Sequence, residues 1–392
     1  MLERWRSHRS SIKICYNSSM SIIIFILVLA LLIFIHELGH FIAAKLTGMK
    51  VEEFSVGFKP AIFQKKKGET NYVLGIIPIG GYVKILGENP NENEGKKLSK
   101  KDKKRTFSSK PWWAQIIVLS MGVIFNIILA WIFISTPFIF GISTQAGDFP
   151  NEYSQKEGVK ILAIQKDFPA EKAGLSVGDV IVKISSEKNM AFDKTAEEFR
   201  EFLKENPKNL KITYKQKEDL DKKIDTNLIH RTEIESLKEK DGKYLAGIFM
   251  ADVVHVQMPI HKALYYGAIE TWDKLKEITF GLIGFFGEIF TGKAELDSVS
   301  GPVGIVKYVG DAASVGWTSL ILFTAFLSLN LAVINFLPFP ALDGGRVIFV
   351  LIEAITRKKI PTSIFNWANG LGFLFLIGLM IVITFNDVWN LF

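Results

Sequence analysis

The chain has 392 residues, 48% hydrophobic and 22% charged, with a formal charge of +7, and its mean hydropathy is +0.23. That balance excludes a bare membrane bundle and an ordinary soluble globule, and points to membrane spans joined to aqueous modules. The basic residues cluster between apolar stretches, which is the pattern of membrane topology rather than of nucleic-acid binding; the single cysteine, Cys15, excludes an internal disulfide and any Cys-rich zinc site.

Residues 1–19 carry Arg4, Arg6, Arg9 and Lys13 ahead of an apolar run. This is the n-region pattern of a signal peptide, but no small-residue cleavage site follows. They read as a non-native upstream extension, with Met20 as the natural start. Four stretches then approach or exceed the roughly 20 helical residues that cross about 30 Å of hydrocarbon: Met20–Leu46, Trp112–Phe140, Trp317–Leu337 and Ala368–Phe385. The first two are joined by a segment bearing Lys65, Lys66, Lys67 and a Lys-rich run from Lys96 to Arg105; the last two are joined by one bearing Arg357, Lys358 and Lys359. Lys and Arg are retained on the cytoplasmic side, so both connections are expected there, with residues 141–315 and the C-terminus outside.

The first span contains "IFIHELGHFIAA", residues 33–44. Helical positions four apart share a face, so His36 and His40 can present imidazoles to one ion, with Glu37 beside them and free of ligation. This is HExxH, in which zinc on the two histidines lowers the pKa of its water to about 7 and the glutamate is the general base, a pattern for peptide-bond hydrolysis. An ionisable group at the centre of a membrane helix costs on the order of 3 kcal/mol even on lenient scales, so three within five positions argue for function over packing.

Zinc needs a third protein ligand. No histidine follows HELGH closely, and the acidic candidates near membrane stretches are Glu288, Asp343 and Glu353. Asp343 stands out in "NFLPFPALDGG", residues 335–345, where Pro338 and Pro340 must break the third span; irregular backbone at membrane depth is tolerated where it lines a cavity or is buried in protein. With about 1.5 Å of rise per residue, His36 lies about 24 Å into the first span and Pro338 about 31 Å into the third, so the two halves arrive at the same side of the bilayer.

Between the first two spans, "IPIGGYVKILGE" at residues 77–88 alternates apolar residues around Gly80 and Gly81, which suggests a hairpin or loop dipping toward the membrane. An exposed edge there would hold an unwound substrate by strand addition; a purely structural hairpin covering the site has equal weight. From His261 to Thr291 the chain is first amphipathic, then strongly apolar but short, and reads as an interfacial helix pair on the outer membrane face. The charged run at residues 204–227 reads as a solvated surface or loop.

Together, HELGH, the NxxPxPxLDGG pattern ending at Gly345 and "SGPVGI" at Ser300–Ile305 resemble the bacterial site-2 proteases, in the group of the sigma-E regulator protease RseP. "VEEFSVGFKP" after the first span and Gly122 with Asn126 in the second add to the likeness, which covers nearly everything from Met20 onward. It implies zinc bound by His36, His40 and Asp343, Glu37 as catalytic acid/base, and Asn335 holding the substrate backbone near the metal. Residues 158–184 resemble the start of a PDZ domain, closing near residue 250, in one copy where enteric relatives have two; it would bind peptides or exclude bulky ectodomains.

The expected fold is thus a polytopic α-helical membrane protein with four transmembrane helices, a cytoplasmic-side membrane-associated β-hairpin and an extracytoplasmic β-rich PDZ domain. Its divisions are residues 20–140, spans one and two with HExxH and the cytoplasmic loop; 141–257, the outer region with the PDZ domain at about 158–250; 258–315, interfacial helices and SGPVGI; and 316–392, spans three and four with LDGG. The implied activity is that of an intramembrane zinc endopeptidase of the bacterial inner membrane, acting on single-span proteins of anti-sigma type after a site-1 cut, or on remnant signal peptides, with the active site toward the cytoplasm. Gly80, Gly81, Tyr82 and Asn335 are the expected substrate-binding residues, Zn2+ the cofactor, and the lipid bilayer rather than nucleic acid the surroundings. The competing readings are a membrane metalloprotease working in water, a zinc transporter and a non-catalytic PDZ scaffold; the last two have no need of Glu37.

Overall fold

The computed structural model describes residues 2–88, 98–147, 149–165, 168–187, 189–192, 194–216, 230–240, 243–291 and 300–389. Two compact units are present, Met1–Thr136 with Leu264–Phe392, and Pro137–Ala263.

The first unit is built on long helices. Helix α1 runs Leu2–Leu46, and its part from Ser19 is one of four helical stretches long and apolar enough to cross a membrane, the others being Trp112–Phe140, Trp317–Phe336 and Thr362–Trp389. All four expected spans are therefore helices of sufficient length. The fourth extends beyond the expected Ala368–Phe385, because Asn366 and Asn369 interrupt the apolar run without interrupting the backbone, and Pro361 sits just before the first turn, where its missing N–H costs nothing.

Two strands follow α1: β1, Val51–Lys67, and β2, Thr70–Ile85. Both bend, so that Glu53 to Val56 face residues 81–84 on one side and 71–74 on the other. The turn of this hairpin falls at residues 68–69, so residues 77–85, where a hairpin or loop around Gly80 and Gly81 is expected, belong to its second strand instead; among the described residues 81–85 is paired on one side only. A short helix α2 (Lys100–Lys103) leads to α3, Trp112–Phe140. At the turn between β1 and β2, the Glu69 carboxylate receives both Arg105 guanidinium nitrogens at 2.6 and 2.7 Å and Lys45 Nζ at 2.8 Å, tying the turn to the end of α1. The bidentate Arg105 pair holds the Glu69 carboxyl down at about 2. A depressed carboxyl pKa adds stability that is complete above the ordinary value of 4.5 and lost as pH falls toward about 2. Protection factors of residues 65–72, taken against the intrinsic exchange rate at each pH, are accordingly expected to fall as pH drops across that window in the wild type, and to be low at both ends of it in Glu69→Gln.

In the second unit, β3 (Ile142–Gln145) and β4 (Ser154–Ile164) precede a one-turn helix α4 (Pro169–Lys172), β5 (Val180–Ser185) and β6 (Met190–Phe192). Helix α5 (Ala196–Glu205) carries a capping box between Thr195 and Glu198. It is followed by β7 (Lys208–Lys215), β8 (His230–Ser236), a small pair β9 (Lys238–Lys240) and β10 (Lys243–Leu245), and β11 (Ile248–Val256). The antiparallel sheet has the order β3-β11-β4-β5-β7-β8, with β6 on β5. Its core includes Val159, Ile161, Ile184, Phe199, Leu210 and Ile212.

Two expectations are corrected here. The charged run at 204–227 is not all solvated loop: β7 lies between β5 and β8, because Leu210, Ile212 and Tyr214 alternate with polar residues and turn inward while the lysines face out. Residues 217–229 of that run lie outside the described residues. Secondly, the expected helix pair at 261–291 is one continuous helix, α6, Ile260–Phe290. It contains no proline, and isolated glycines weaken a helix by about 1 kcal/mol each without ending it. Trp131 Nε1 donates to the Leu264 carbonyl at 2.9 Å, and a Cβ on Gly267 would meet Ser135 Oγ at 2.0 Å, so α6 lies tight against α3 at its start.

The chain then forms α7 (Pro302–Val315), α8 (Trp317–Phe336), α9 (Asp343–Thr356) and α10 (Thr362–Trp389). The SGPVGI motif is the start of α7, where Asp387 of α10 accepts from the Gly301 and Gly304 amides at 3.1 and 2.9 Å. A Cβ at Gly301 would meet that carboxylate at 2.8 Å, which accounts for this glycine.

Candidate active site

Three elements of the first unit meet at the HELGH segment. Helix α1 crosses α3 where a Cβ on Gly39 would meet the Met121 carbonyl oxygen at 2.4 Å, so the helices approach to a distance only glycine permits. The third element is the break after α8. Pro338 and Pro340 end the helix, Ala341 takes φ 76°, and α9 begins at Asp343. Cβ atoms on Gly344 and Gly345 would lie 2.3 and 2.2 Å from the Leu337 and Phe339 carbonyl oxygens; the chain doubles back on itself, and two glycines make that possible. The Ala341 amide donates to Asn369 Oδ1 of α10 at 2.9 Å, which fixes the left-handed residue.

The predicted ligands come together. His36 Nε2 lies 3.0 Å from Asp343 Oδ2, His40 Nε2 lies 3.3 Å from the same oxygen, and the two Nε2 atoms are 3.1 Å apart. These donor atoms all lie within 4.8 Å of one another, close enough to share one ion, and two imidazoles in the set favour zinc over calcium, which takes oxygen ligands. Two neutral imidazoles and one carboxylate are also the donor set of catalytic zinc, leaving a position open. Both histidines are buried, and Asp343 heads a helix whose N-terminal dipole favours its negative charge.

The remaining predicted residues divide. Glu37 lines a cavity of about 150 Å³ with His36, His40, Asp343 and Tyr82. A Cβ on Gly81 would sit 3.2 Å from Glu37 Cγ, so the edge of β2 runs directly past the glutamate. Gly80 is turned elsewhere: it has φ +136°, and a Cβ there would strike the Phe58 ring at 2.1 Å. Asn335, near the end of α8, places Nδ2 3.4 Å from His36 Nε2. Of the other acidic candidates, Glu353 accepts from the Ile360 amide at 2.8 Å at the far end of α9, and Glu288 lies in α6; neither joins the cluster formed by His36, His40 and Asp343.

Sequence reading missed the outer contacts. His40 Nδ1 donates to the Val118 carbonyl of α3 at 2.8 Å, and the Asn126 side chain lies 3.2 Å from His36 Nδ1. A Cβ on Gly122 would be 2.4 Å from His40 Nε2, so that residue clears space for the rings. Arg346 pairs with Glu88 across the cavity, joining α9 to the end of the hairpin. Beneath the cavity an apolar cluster that includes Ala44, Met49, Val51, Ile85, Leu119 and Val347 binds α1, the strands, α3 and α9 into one block.

The model of peptidase family M50 matches residues 24–379. A Clostridium perfringens protein named a zinc metalloprotease is 36% identical over 373 residues, covering 94% of this chain and 98% of that one. The regulator of sigma-W protease RasP of Bacillus subtilis is 30% identical over 445 residues, covering 95% and 99%. A Fusobacterium nucleatum protein, also named a zinc metalloprotease, is 34% identical over 394 residues, covering 95% and 100%.

Proposed function

The chain belongs to peptidase family M50, and from that premise we propose that it is an intramembrane zinc endopeptidase that cuts the transmembrane segments of single-span membrane proteins. The observation that carries this reading is the convergence of His36, His40 and Asp343, with the two histidines on a helix apolar enough to cross a membrane and Glu37 on the same cavity.

His36, His40 and Asp343 would hold the zinc ion, which would supply Lewis-acid chemistry at the cavity that Glu37 lines. Glu37 takes the proton of the attacking water and returns it to the leaving amide nitrogen as the C–N bond breaks. The Asn335 amide, near the metal ligands, holds the substrate backbone in register. A helical substrate must unwind to expose its peptide bond, and the one-sided run 81–85 beside Glu37 receives the unwound segment as an added strand, with Gly81 and Tyr82 in contact with it. Gly80, next to Gly81 on this strand, is assigned to the same substrate edge, and its φ of +136° with Phe58 packed where a Cβ would stand accounts for glycine there.

The basic clusters around residues 65–67, 100–105 and 357–359 favour a site on the cytoplasmic side of the bacterial inner membrane, with the β unit outside. That unit acts as a single PDZ domain that selects peptides or excludes bulky ectodomains, and α6 lies on the outer membrane face. The name of the Bacillus subtilis relative, a regulator of sigma-W protease, supports a regulatory role; on this reading the substrates are of anti-sigma type and are cut after a site-1 protease has removed the outer part. The test is reconstitution of purified protein with a tagged single-span protein lacking its ectodomain. A shortened fragment is expected, absent after zinc chelation and restored by zinc; equal fragment with and without the metal would defeat the assignment.

A further inference from the structure

Resting on the zinc reading above, we propose that Asn126 is a positioning residue whose side-chain oxygen accepts a hydrogen bond from His36 Nδ1–H and so holds the ring with Nε2 facing the metal. The starting observation is a stripe on α3. Val118, Gly122 and Asn126 are spaced by four, share one helical face, and meet the two histidines in turn. The Val118 carbonyl takes the His40 Nδ1 proton, the bare Gly122 backbone leaves room for both rings, and Asn126 reaches His36 Nδ1.

An imidazole that gives its Nε2 lone pair to a cation keeps its proton on Nδ1, and therefore needs an acceptor there. In the structure the amide nitrogen of Asn126 faces the ring at 3.2 Å, while its oxygen is buried with no hydrogen-bond partner among the described residues. Asn126 itself is 0% exposed. The two ends of an amide have nearly the same shape, so a half-turn brings the orphaned oxygen onto the Nδ1 proton with no change in packing. The backbone does not move in this exchange: Ser328 Oγ of α8 donates to the Asn126 carbonyl at 2.8 Å, fixing the residue between two helices. One helix thus sets the tautomer of both ligating histidines, through a main-chain carbonyl for His40 and a side-chain carbonyl for His36.

The test compares full-length wild type, Asn126→Leu, Asn126→Asp and His36→Ala in detergent, by zinc competition against a chromophoric chelator and by the visible spectrum of the cobalt-loaded forms. Asn126→Leu is expected to weaken zinc by about 10–100-fold and shift the cobalt bands, as loss of an outer-shell partner does. Asn126→Asp, which only accepts, is expected to return close to wild-type affinity and spectrum. Melting of the chelated proteins separates a packing defect from a metal defect, and the Asp variant decides if Leu folds poorly. Wild-type affinity in Asn126→Leu, or equal weakening in Leu and Asp, overturns the inference. Absence of zinc binding in the wild type would instead overturn the functional reading, and wild-type affinity in His36→Ala would remove His36 from the ligand set.

Discussion

Glu37→Gln is expected to keep its full complement of zinc and to lose cleavage by about 10²–10⁴-fold, the range general acid–base groups contribute. At about 1.4 kcal/mol per factor of ten, that is about 3–5 kcal/mol on the barrier. The separation of the two effects follows from position. Glu37 follows His36 directly in α1 and shares the cavity, but the triangle of donors closes without it. Glutamine preserves shape and neutral hydrogen bonding while removing the ability to take a proton. Metal content and single-turnover cleavage, measured on the same preparation, check this. Equal cleavage by Glu37→Gln would remove Glu37 from the chemistry, and loss of zinc would make it a ligand.

Asp343→Ala is expected to be the more severe change for the metal. Apparent binding energies of structural zinc sites run to about 10–16 kcal/mol over four ligands, so one ligand accounts for roughly 10²–10³ in affinity. Among the described residues His36, His40 and Asp343 form the only group of three potential donors close enough to share one ion. The backbone at 343 is also unable to shift, since Gly344 and Gly345 sit against main-chain carbonyls of the preceding turn. Cleavage is expected to fall with zinc occupancy and to return in part at high zinc concentration. Zinc titration of the variant measures this directly, and wild-type affinity would exclude Asp343 as a ligand.

Much of this site was legible before any coordinates. HELGH is a local pattern, and helical periodicity alone puts His36 and His40 on one face. Asp343 was legible because Pro338 and Pro340 force a break at membrane depth, and such breaks accompany function. The outer contacts were not, for a physical reason: His40 is oriented by the main-chain carbonyl of Val118, which every residue possesses and no side chain advertises. Asn126 did carry a signal, a polar residue in a span four positions after Gly122, but its partner is 90 residues away. The pair of Arg346 and Glu88 is likewise hidden by separation. In the β unit, net charge obscured the alternation of Leu210, Ile212 and Tyr214, so an interior strand reads as a solvated surface or loop. The helical stretch 260–290 was divided because its character changes midway, although backbone continuity depends on local propensity and not on which face is apolar.

The 307 residues separating His36 from Asp343 also order events during biosynthesis. At 5–20 residues per second, the histidines precede the aspartate from the ribosome by about 15–60 s. Throughout that interval the growing polypeptide holds two of three donors and no closed hydrolytic centre. On the zinc site proposed above, this metallopeptidase has no complete ligand set until the segment carrying Asp343 has been made, and Thr362–Trp389 still follows it.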